Sequence, residues 1–184
     1  MKKEVTIIGA GLVGSLLSIY LAKRGYSVSV YERRGDMRNE KVEAGRSINL
    51  ALSDRGIKAL TEVGIAEEVL QMAIPMHGRY IHNLDGSHAI QPYGKEGQFI
   101  NSVSRRDLNC KLMDLAENHG IQINFNQKLQ GINFDNNTLQ FEFDGQTQTK
   151  NFELLFGSDG AYSAARMAHM LQHNMFEYQQ HYID

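Results

Sequence analysis

Gly9-Ala10-Gly11-Leu12-Val13-Gly14 is a G-x-G-x-x-G run, set directly after a short apolar segment and ahead of a helical pattern. Each glycine answers a steric demand of holding a pyrophosphate. Gly9 permits a tight turn, Gly11 has no Cβ and lets a phosphate approach the backbone, and Gly14 lets the helix pack closely on the strand. The helix N-terminus adds unpaired N–H groups and a partial positive charge. Glu32 follows Gly9 by 23 residues and ends the next strand-like run. A carboxylate there accepts hydrogen bonds from ribose hydroxyls. It also repels a ribose phosphate, so the pattern favours FAD or NAD over NADP at this position and leaves those two equal.

These residues need a particular set of elements to position them. Val5–Ile8 reads as a buried strand, Leu12–Arg24 as a helix with apolar residues at Leu12, Leu16, Ile19, Tyr20 and Leu21, and Val28–Tyr31 as a second strand. Strand, helix and strand in that compass form a βαβ unit with parallel strands. Arg33–Arg46 is polar and without period, a loop, and Ser47–Leu52 is strand-like. Ser53 caps a helix that carries Ile57, Leu60 and Val63 on one face, and a short helix follows over Ile65–Met72. Arg79–Asn83 and His88–Tyr93 flank Asp85-Gly86-Ser87 as a hairpin. Phe99–Val103 is a strand, and Ser104 with Asp107 resembles a capping box opening a helix to His119. Ile121–Phe125 and Leu139–Phe143 alternate apolar with polar, and Phe152–Phe156 is a buried strand before Gly157-Ser158-Asp159-Gly160. His169–Asp184 shows no cap or turn. The expectation is one α/β domain over residues 1–184, with a hairpin at about 76–100 inserted into it.

Composition narrows the function classes. A chain of 184 residues can bury one proper core. Net charge is −2 and the isoelectric point is near 6.4, which gives no electrostatic reason to hold nucleic acid or an anionic membrane. Cys110 is the single cysteine, so no intrachain bridge forms and a reducing compartment fits. Its ordinary reading is a buried, inert thiol on the apolar side of its helix. No signal-peptide pattern or membrane-length apolar run occurs, so a cytoplasmic soluble domain is expected. The histidines are read as carrying no metal site, and no Ser-His-Asp or Cys-His pattern stands out.

Longer stretches carry a resemblance. Glu32-Arg33-Arg34, Gly45-Arg46-Ser47-Ile48-Asn49-Leu50-Ala51-Leu52-Ser53, Gln91-Pro92-Tyr93-Gly94, Ser102-Val103-Ser104-Arg105 with Leu108-Asn109, and Gly157-Ser158-Asp159-Gly160-Ala161-Tyr162-Ser163 together resemble the kynurenine 3-monooxygenase family of FAD-dependent aromatic hydroxylases. The Arg-Ser-Ile-Asn-Leu-Ala-Leu stretch is the most specific part, and Asp159-Gly160 marks flavin-dependent aromatic hydroxylases more broadly. The resemblance implies a Rossmann-like FAD-binding fold of the p-hydroxybenzoate hydroxylase type. It also implies FAD as cofactor, NADPH and O₂ as co-substrates, and hydroxylation of L-kynurenine beside its amino group, a step of tryptophan catabolism toward pyridine nucleotides.

By position it places Gly9, Gly11, Val13 and Gly14 at the pyrophosphate and Glu32 at the ribose. Arg33, Arg34 and Ala51 border the adenosine side, Arg105 meets the phosphates, Leu129 the adenine region, and Asp159 closes the dinucleotide site. Arg79 and Tyr93 match the pair that holds the substrate carboxylate. With 85–87 as the hairpin loop, Arg79 falls directly opposite Tyr93 on one face, where a guanidinium and a phenol form a carboxylate clamp. Arg105 opens a helix, where a cation is disfavoured unless an anion sits there. Arg38 and Lys41 read as solvated charges. The family's later Gly-Asp motif is not found, so the chain is expected to be the N-terminal part of a longer enzyme, self-associating and inactive toward kynurenine by itself. Two other readings stay open: an NAD-dependent reductase and a non-catalytic dinucleotide-binding module.

Overall fold

The structure, a computed structural model, describes residues 3–39, 49–173 and 175. In chain order the elements are β1 (Glu4–Ile8), α1 (Leu12–Lys23), β2 (Ser27–Tyr31), β3 (Asn49–Leu52), α2 (Asp54–Glu62), α3 (Ala66–Leu70), β4 (Ile74–Met76), β5 (Gly78–His82) and β6 (His88–Pro92). They continue with β7 (Ile100–Ser104), α4 (Arg105–Asn118), β8 (Gln122–Asn124), β9 (Lys128–Asn133), β10 (Thr138–Phe143), β11 (Gln146–Asn151), β12 (Leu154–Gly157) and α5 (Ala164–Gln172). They fall into two compact units, Met1–Glu40 with Ala116–Asp184, and Lys41–Leu115. The expected strand at Ser47 and Ile48 and the loop beyond Asn39 lie outside the described residues.

The first unit is built on a parallel sheet in the order β12-β1-β2-β8. Val5, Ile7 and Ile8 are buried, and so is Thr6, as a strand covered on both faces requires. Of the apolar residues at helical spacing on α1, Ile19 is buried and Leu12, Leu16, Tyr20 and Leu21 are half-buried. The helix's buried residues are Gly14, Ser15, Ser18 and Ile19. Small side chains let the helix approach the sheet, and the serine hydroxyls are satisfied locally: Ser15 Oγ donates to Ala10 O at 3.2 Å and Ser18 Oγ to Ser15 O at 2.7 Å. Strand order reverses at β1, with β2 on one side through α1 and β12, much later in sequence, on the other.

An antiparallel meander, β11-β10-β9, completes this unit. A register shift between Gln140 and Phe141 puts Phe141 opposite Leu129. Without that bulge the polar, exposed Gln130 would take the position facing Phe141. Ile8, Leu129, Leu139, Phe141 and Ala165 form a buried cluster, and Tyr31 stacks on Phe141 with ring centroids 4.5 Å apart. This cluster fixes the ends of β1 and β2 against the meander.

In the second unit β3, β7 and β4 form an antiparallel sheet, and β5 pairs with β6 as the hairpin. Pro75 sits in β4, which pairs with β7 alone in that sheet, the edge position where a missing N–H is tolerated. Leu60 and Val63 are buried and Ile57 is half-buried, so α2 follows its expected apolar face, and Ile65 and Val69 are buried at α3. Ser104 Oγ accepts the Asp107 N–H at 3.3 Å, as the capping pattern predicts.

Candidate functional site

A cavity of about 410 Å³ opens where β1, β2 and β12 end, lined in part by Gly9, Gly11, Glu32, Arg34, Leu129 and Asp159. In open α/β sheets ligands bind beyond the carboxyl ends of the strands at the point where strand order reverses, which here is β1 between β2 and β12. Gly9 has φ +98°, and a Cβ on it would lie 2.7 Å from Ser158 O. A Cβ on Gly14 would lie 1.9 Å from Gly9 O and 2.6 Å from Ser158 Oγ. Nothing lies within 4 Å of the Cβ position of Gly11. Two glycines therefore serve backbone packing, and the third leaves space on the cavity side. Val13 is exposed in the first turn of α1, outside the cavity lining.

Ser158 is a residue whose part sequence reasoning missed. Its N–H donates to Ile8 O at 2.8 Å, and its hydroxyl lies 2.8 Å from Ile8 O and 3.0 Å from Gly9 O. It locks the end of β12 to the glycine turn. Tyr31, Gln127, Lys128 and Tyr162 also line the cavity without having been singled out. The segment that brings Gln127 and Lys128 there is stitched to β2's end. Asn126 N–H donates to Arg34 O at 3.0 Å and Gln127 N–H to Glu32 O at 2.8 Å.

Glu32 is buried, with 4% relative exposure. Its Oε2 accepts the Ala10 N–H at 2.9 Å, and its Oε1 accepts the Arg34 N–H at 3.1 Å and Nε–H at 2.8 Å. Burial pushes its pKa up, but the Arg34 side chain, the Ala10 and Arg34 amides and the Arg34 charge together hold it below the usual glutamate value. The site therefore keeps an ionised carboxylate at neutral pH. Arg33 and Arg34 are exposed at the rim, and Lys128 adds a third cation.

Asp159 lines the same cavity, but its carboxylate is turned to α5. Oδ1 accepts the Ser163 hydroxyl at 2.6 Å and Oδ2 accepts the Ala165 N–H at 3.1 Å. Ser163 is the N-cap and accepts from Arg166 N–H at 2.9 Å. Asp159 thus acts first as the anion that organises a helix start. Asp159→Ala is expected to lower stability by about 0.5–2 kcal/mol, the usual loss at a cap. A calorimetric midpoint unchanged from wild type would refute that role.

Two expectations are corrected here. Arg38 is not merely solvated: it bonds Asp36 at 2.8 Å and Glu117 at 2.6 Å, and lies 5.7 Å over the Phe125 ring. Its guanidinium hydrogen bond, offset in part by burial, holds the Asp36 carboxyl below its usual range. The hairpin register also differs. The loop is Leu84-Asp85-Gly86, closed by Asn83 N–H to Ser87 O at 2.9 Å, with Gly86 at φ +81°. A three-residue loop with glycine in the left-handed position is a common hairpin turn, and Ser87 N–H and Oγ both donate to Asp85 Oδ1 to fix it. Arg79 therefore pairs with Gln91, and donates from Nε to Gln91 Oε1 at 2.7 Å. Tyr93 is the diagonal neighbour on that same face, close enough for long side chains to meet.

The remaining candidates belong to the second unit: Ala51 is exposed in β3, opposite Ser102, and Arg105 is exposed as the first residue of α4. Arg46 and Lys41 lie outside the described residues. Cys110 is half-buried rather than fully buried. One histidine spacing does fit a ligand pair: His169 on α5 and His173, its C-cap, four residues apart with ring centroids 4.4 Å apart.

A parallel sheet with a glycine turn, a buried acid after the second strand and a cavity at the strand-order reversal define a dinucleotide-binding protein. The chain belongs to the FAD binding domain family, whose pattern matches residues 2–184. It is 50% identical over 171 residues to the kynurenine 3-monooxygenase of Myxococcus xanthus, covering 91% of this chain and 37% of that protein. To the kynurenine 3-monooxygenase of Christiangramia forsetii it is 43% identical, covering 100% of this chain and 41% of that protein. The chain thus spans about two fifths of the length of the curated relatives it matches. Among solved structures, PqsL of Pseudomonas aeruginosa superposes with a TM-score of 0.74 at 19% identity, covering 99% of this chain and 48% of that one. The p-nitrophenol 4-monooxygenase PnpA of Pseudomonas putida gives 0.73 at 18% identity, covering 91% and 43%. The fold is the Rossmann-like FAD-binding fold of the aromatic hydroxylases.

Proposed function

We propose that this chain forms the FAD-holding part of a monooxygenase that hydroxylates the aromatic ring of L-kynurenine at position 3, with NADPH and O₂ as co-substrates. The observation that carries the cofactor reading is Gly11, whose missing side chain leaves open space on a cavity that Glu32, just after β2, also lines. A carboxylate offers about four acceptor positions, and the Ala10 and Arg34 bonds named above use three, which leaves one on Oε2 for a ribose hydroxyl. Its negative charge disfavours a phosphorylated ribose. The substrate reading rests on the likeness to kynurenine 3-monooxygenases.

Bound FAD would supply the redox chemistry, accepting hydride from NADPH and activating O₂ for insertion into the ring. In this reading the glycine turn and α1's first amides would hold the pyrophosphate, Arg33 and Arg34 would border the adenosine side, Leu129 the adenine region, and Asp159 would keep α5's start in place. By the family resemblance alone, Ala51 would border the adenosine side and Arg105 would meet the phosphates. Arg79 and Tyr93 would orient the substrate through its carboxylate, with Gln91 holding the Arg79 guanidinium. The 76–100 segment is then the substrate-facing insertion.

Two measurements test this reading. The chain itself should quench added FAD fluorescence on binding. Joined to the portion of the Myxococcus xanthus relative that it does not cover, it should oxidise NADPH in a kynurenine-dependent manner and release 3-hydroxykynurenine. Flavin retained without coupled product would sink the substrate assignment. In that joined protein Arg79→Ala should raise KM for kynurenine roughly 10–100-fold, the loss of a charge-assisted hydrogen bond, with flavin content intact. An equal loss with an analogue lacking the carboxylate would make Arg79 structural instead.

A further inference from the structure

The hairpin carries a histidine pair that the proposed reaction does not use. Asn83 N–H donates to Ser87 O at 2.9 Å at one end of the ladder, and Tyr93 N–H donates to His77 O at 3.0 Å at the other. Hydrogen-bonded and non-hydrogen-bonded pairs alternate between those two positions. The pair His82 and His88 therefore falls at a non-hydrogen-bonded position, where side chains approach most closely. Their ring centroids are 4.8 Å apart, with the planes at 84°. Tyr80 lies on the same face, its ring 5.0 Å from His82 and 5.3 Å from His88. Arg79, Gln91 and Tyr93 occupy the opposite face, by the alternation of side chains along a strand.

We propose that His82 and His88 form a two-histidine chelate for a borderline divalent cation of the zinc, nickel or copper class. Imidazole nitrogen suits these ions over magnesium or calcium, which prefer oxygen ligands. The two rings stand on adjacent strands of one hairpin, so binding has little chain left to order. Among the described residues no three His, Cys, Asp or Glu side chains converge, so water completes the coordination. The ion ties β5 to β6 and fixes the register in which Arg79 and Tyr93 share a face. That last consequence rests on the substrate-facing reading of the hairpin; the chelate does not. The competing explanation is plain cross-strand ring packing, which stabilises a hairpin without any ion.

The test begins in a His169→Gln, His173→Gln background, because that pair at the C-terminal end of α5 is also placed to chelate. Zn²⁺ or Ni²⁺ is titrated calorimetrically, and hydrogen–deuterium exchange is followed over residues 78–93. One equivalent should bind, and exchange in the hairpin should slow on addition of the ion and recover with chelator. His82→Gln or His88→Gln should weaken binding about tenfold or more, a loss at least as large as those seen when a metal site loses a supporting contact. Tyr80→Phe should bind as the background does. Binding that disappears with the α5 histidines, persists undiminished in the His82→Gln, His88→Gln double variant, or leaves hairpin exchange unchanged would overturn the chelate. None of these readouts depends on FAD or on turnover, so they fail independently of the proposed reaction.

Discussion

Gly14→Ala is expected to destabilise the first unit strongly, whereas Gly11→Val should leave its stability near wild type and abolish FAD binding. The two glycines stand three residues apart in one motif, yet their surroundings differ completely. A methyl on Gly14 would sit 1.9 Å from the Gly9 carbonyl oxygen and 2.6 Å from Ser158 Oγ. Both neighbours are held: Gly9 N–H donates to Tyr31 O at 2.7 Å, and Ser158 is bonded to β1 through its backbone and its hydroxyl. Relief would need α1 to withdraw from the sheet, with its buried Ser15, Ser18 and Ile19. Overpacking of a well-filled interior costs about 1–3 kcal/mol, and backbone-to-backbone overlap belongs at or above the top of that range. A domain stable by about 5–15 kcal/mol loses a large share of its stability this way. At Gly11 an added Cβ has no protein atom within 4 Å, and the residue lines the cavity. Circular dichroism melting and flavin fluorescence quenching, measured on both variants, separate the effects. A Gly11→Val protein that binds FAD like wild type would refute the phosphate-approach role, and a Gly14→Ala protein with a normal melt would refute the packing role.

Local sterics explain why the motif was legible and the rest less so. Glycine spacing, the βαβ unit and the acid at Glu32 are short-range demands of one turn, so the residues alone expose them. Helix α1 is legible from its apolar spacing, but the burial of Ser15 and Ser18 is not, because it follows from the close approach that Gly14 permits. Strand β11, Gln-Thr-Gln-Thr-Lys-Asn, has no apolar face to give it away; it is held by pairing with β10. Helix α5 was hidden because its N-cap, Ser163, is organised from four residues back by Asp159, a residue already assigned elsewhere. The hairpin register turned on whether the loop began at Leu84 or Asp85, and Gly86 at φ +81° with the Asp85–Ser87 bonds decided it. Arg38 reached its Glu117 partner across 79 positions of sequence, a distance no window can read. The separation of Lys41–Leu115 as its own unit depends on contact density, which leaves no mark such as a Pro- or Gly-rich linker.

The second large effect is expected at Glu32, and it has both a binding and a pH signature. Its carboxylate joins three things: the Ala10 amide inside the glycine turn, the Arg34 amide and the Arg34 guanidinium. Glu32→Ala removes the carboxylate that the Ala10 N–H and Arg34 bond beside the cavity, and FAD affinity should fall by about 1–3 kcal/mol, roughly 5–150-fold. Glu32→Gln keeps the shape but turns one acceptor into an NH₂, which must face either the Ala10 N–H or the Arg34 donors, so much of the loss remains. The pH dependence follows from linkage. The folded-state pKa is held below the ordinary glutamate value, net of the burial that opposes it. A depressed carboxylate contributes stability that is fully present above the unfolded-state pKa, about 4.3, and is lost as pH falls through the lower folded-state pKa. Wild type should therefore lose stability below about pH 4.3. Asp36 titrates in the same direction because of Arg38, so the wild-type curve alone does not isolate Glu32. The difference between wild type and Glu32→Gln, from denaturant midpoints measured between about pH 3 and 7, removes the shared Asp36 contribution. That difference should be largest at neutral pH and shrink in acid, as the wild-type carboxyl takes up its proton and becomes a neutral group like the amide. A difference that stays constant across the range would mean that shape, and not charge, is what Glu32 gives the turn.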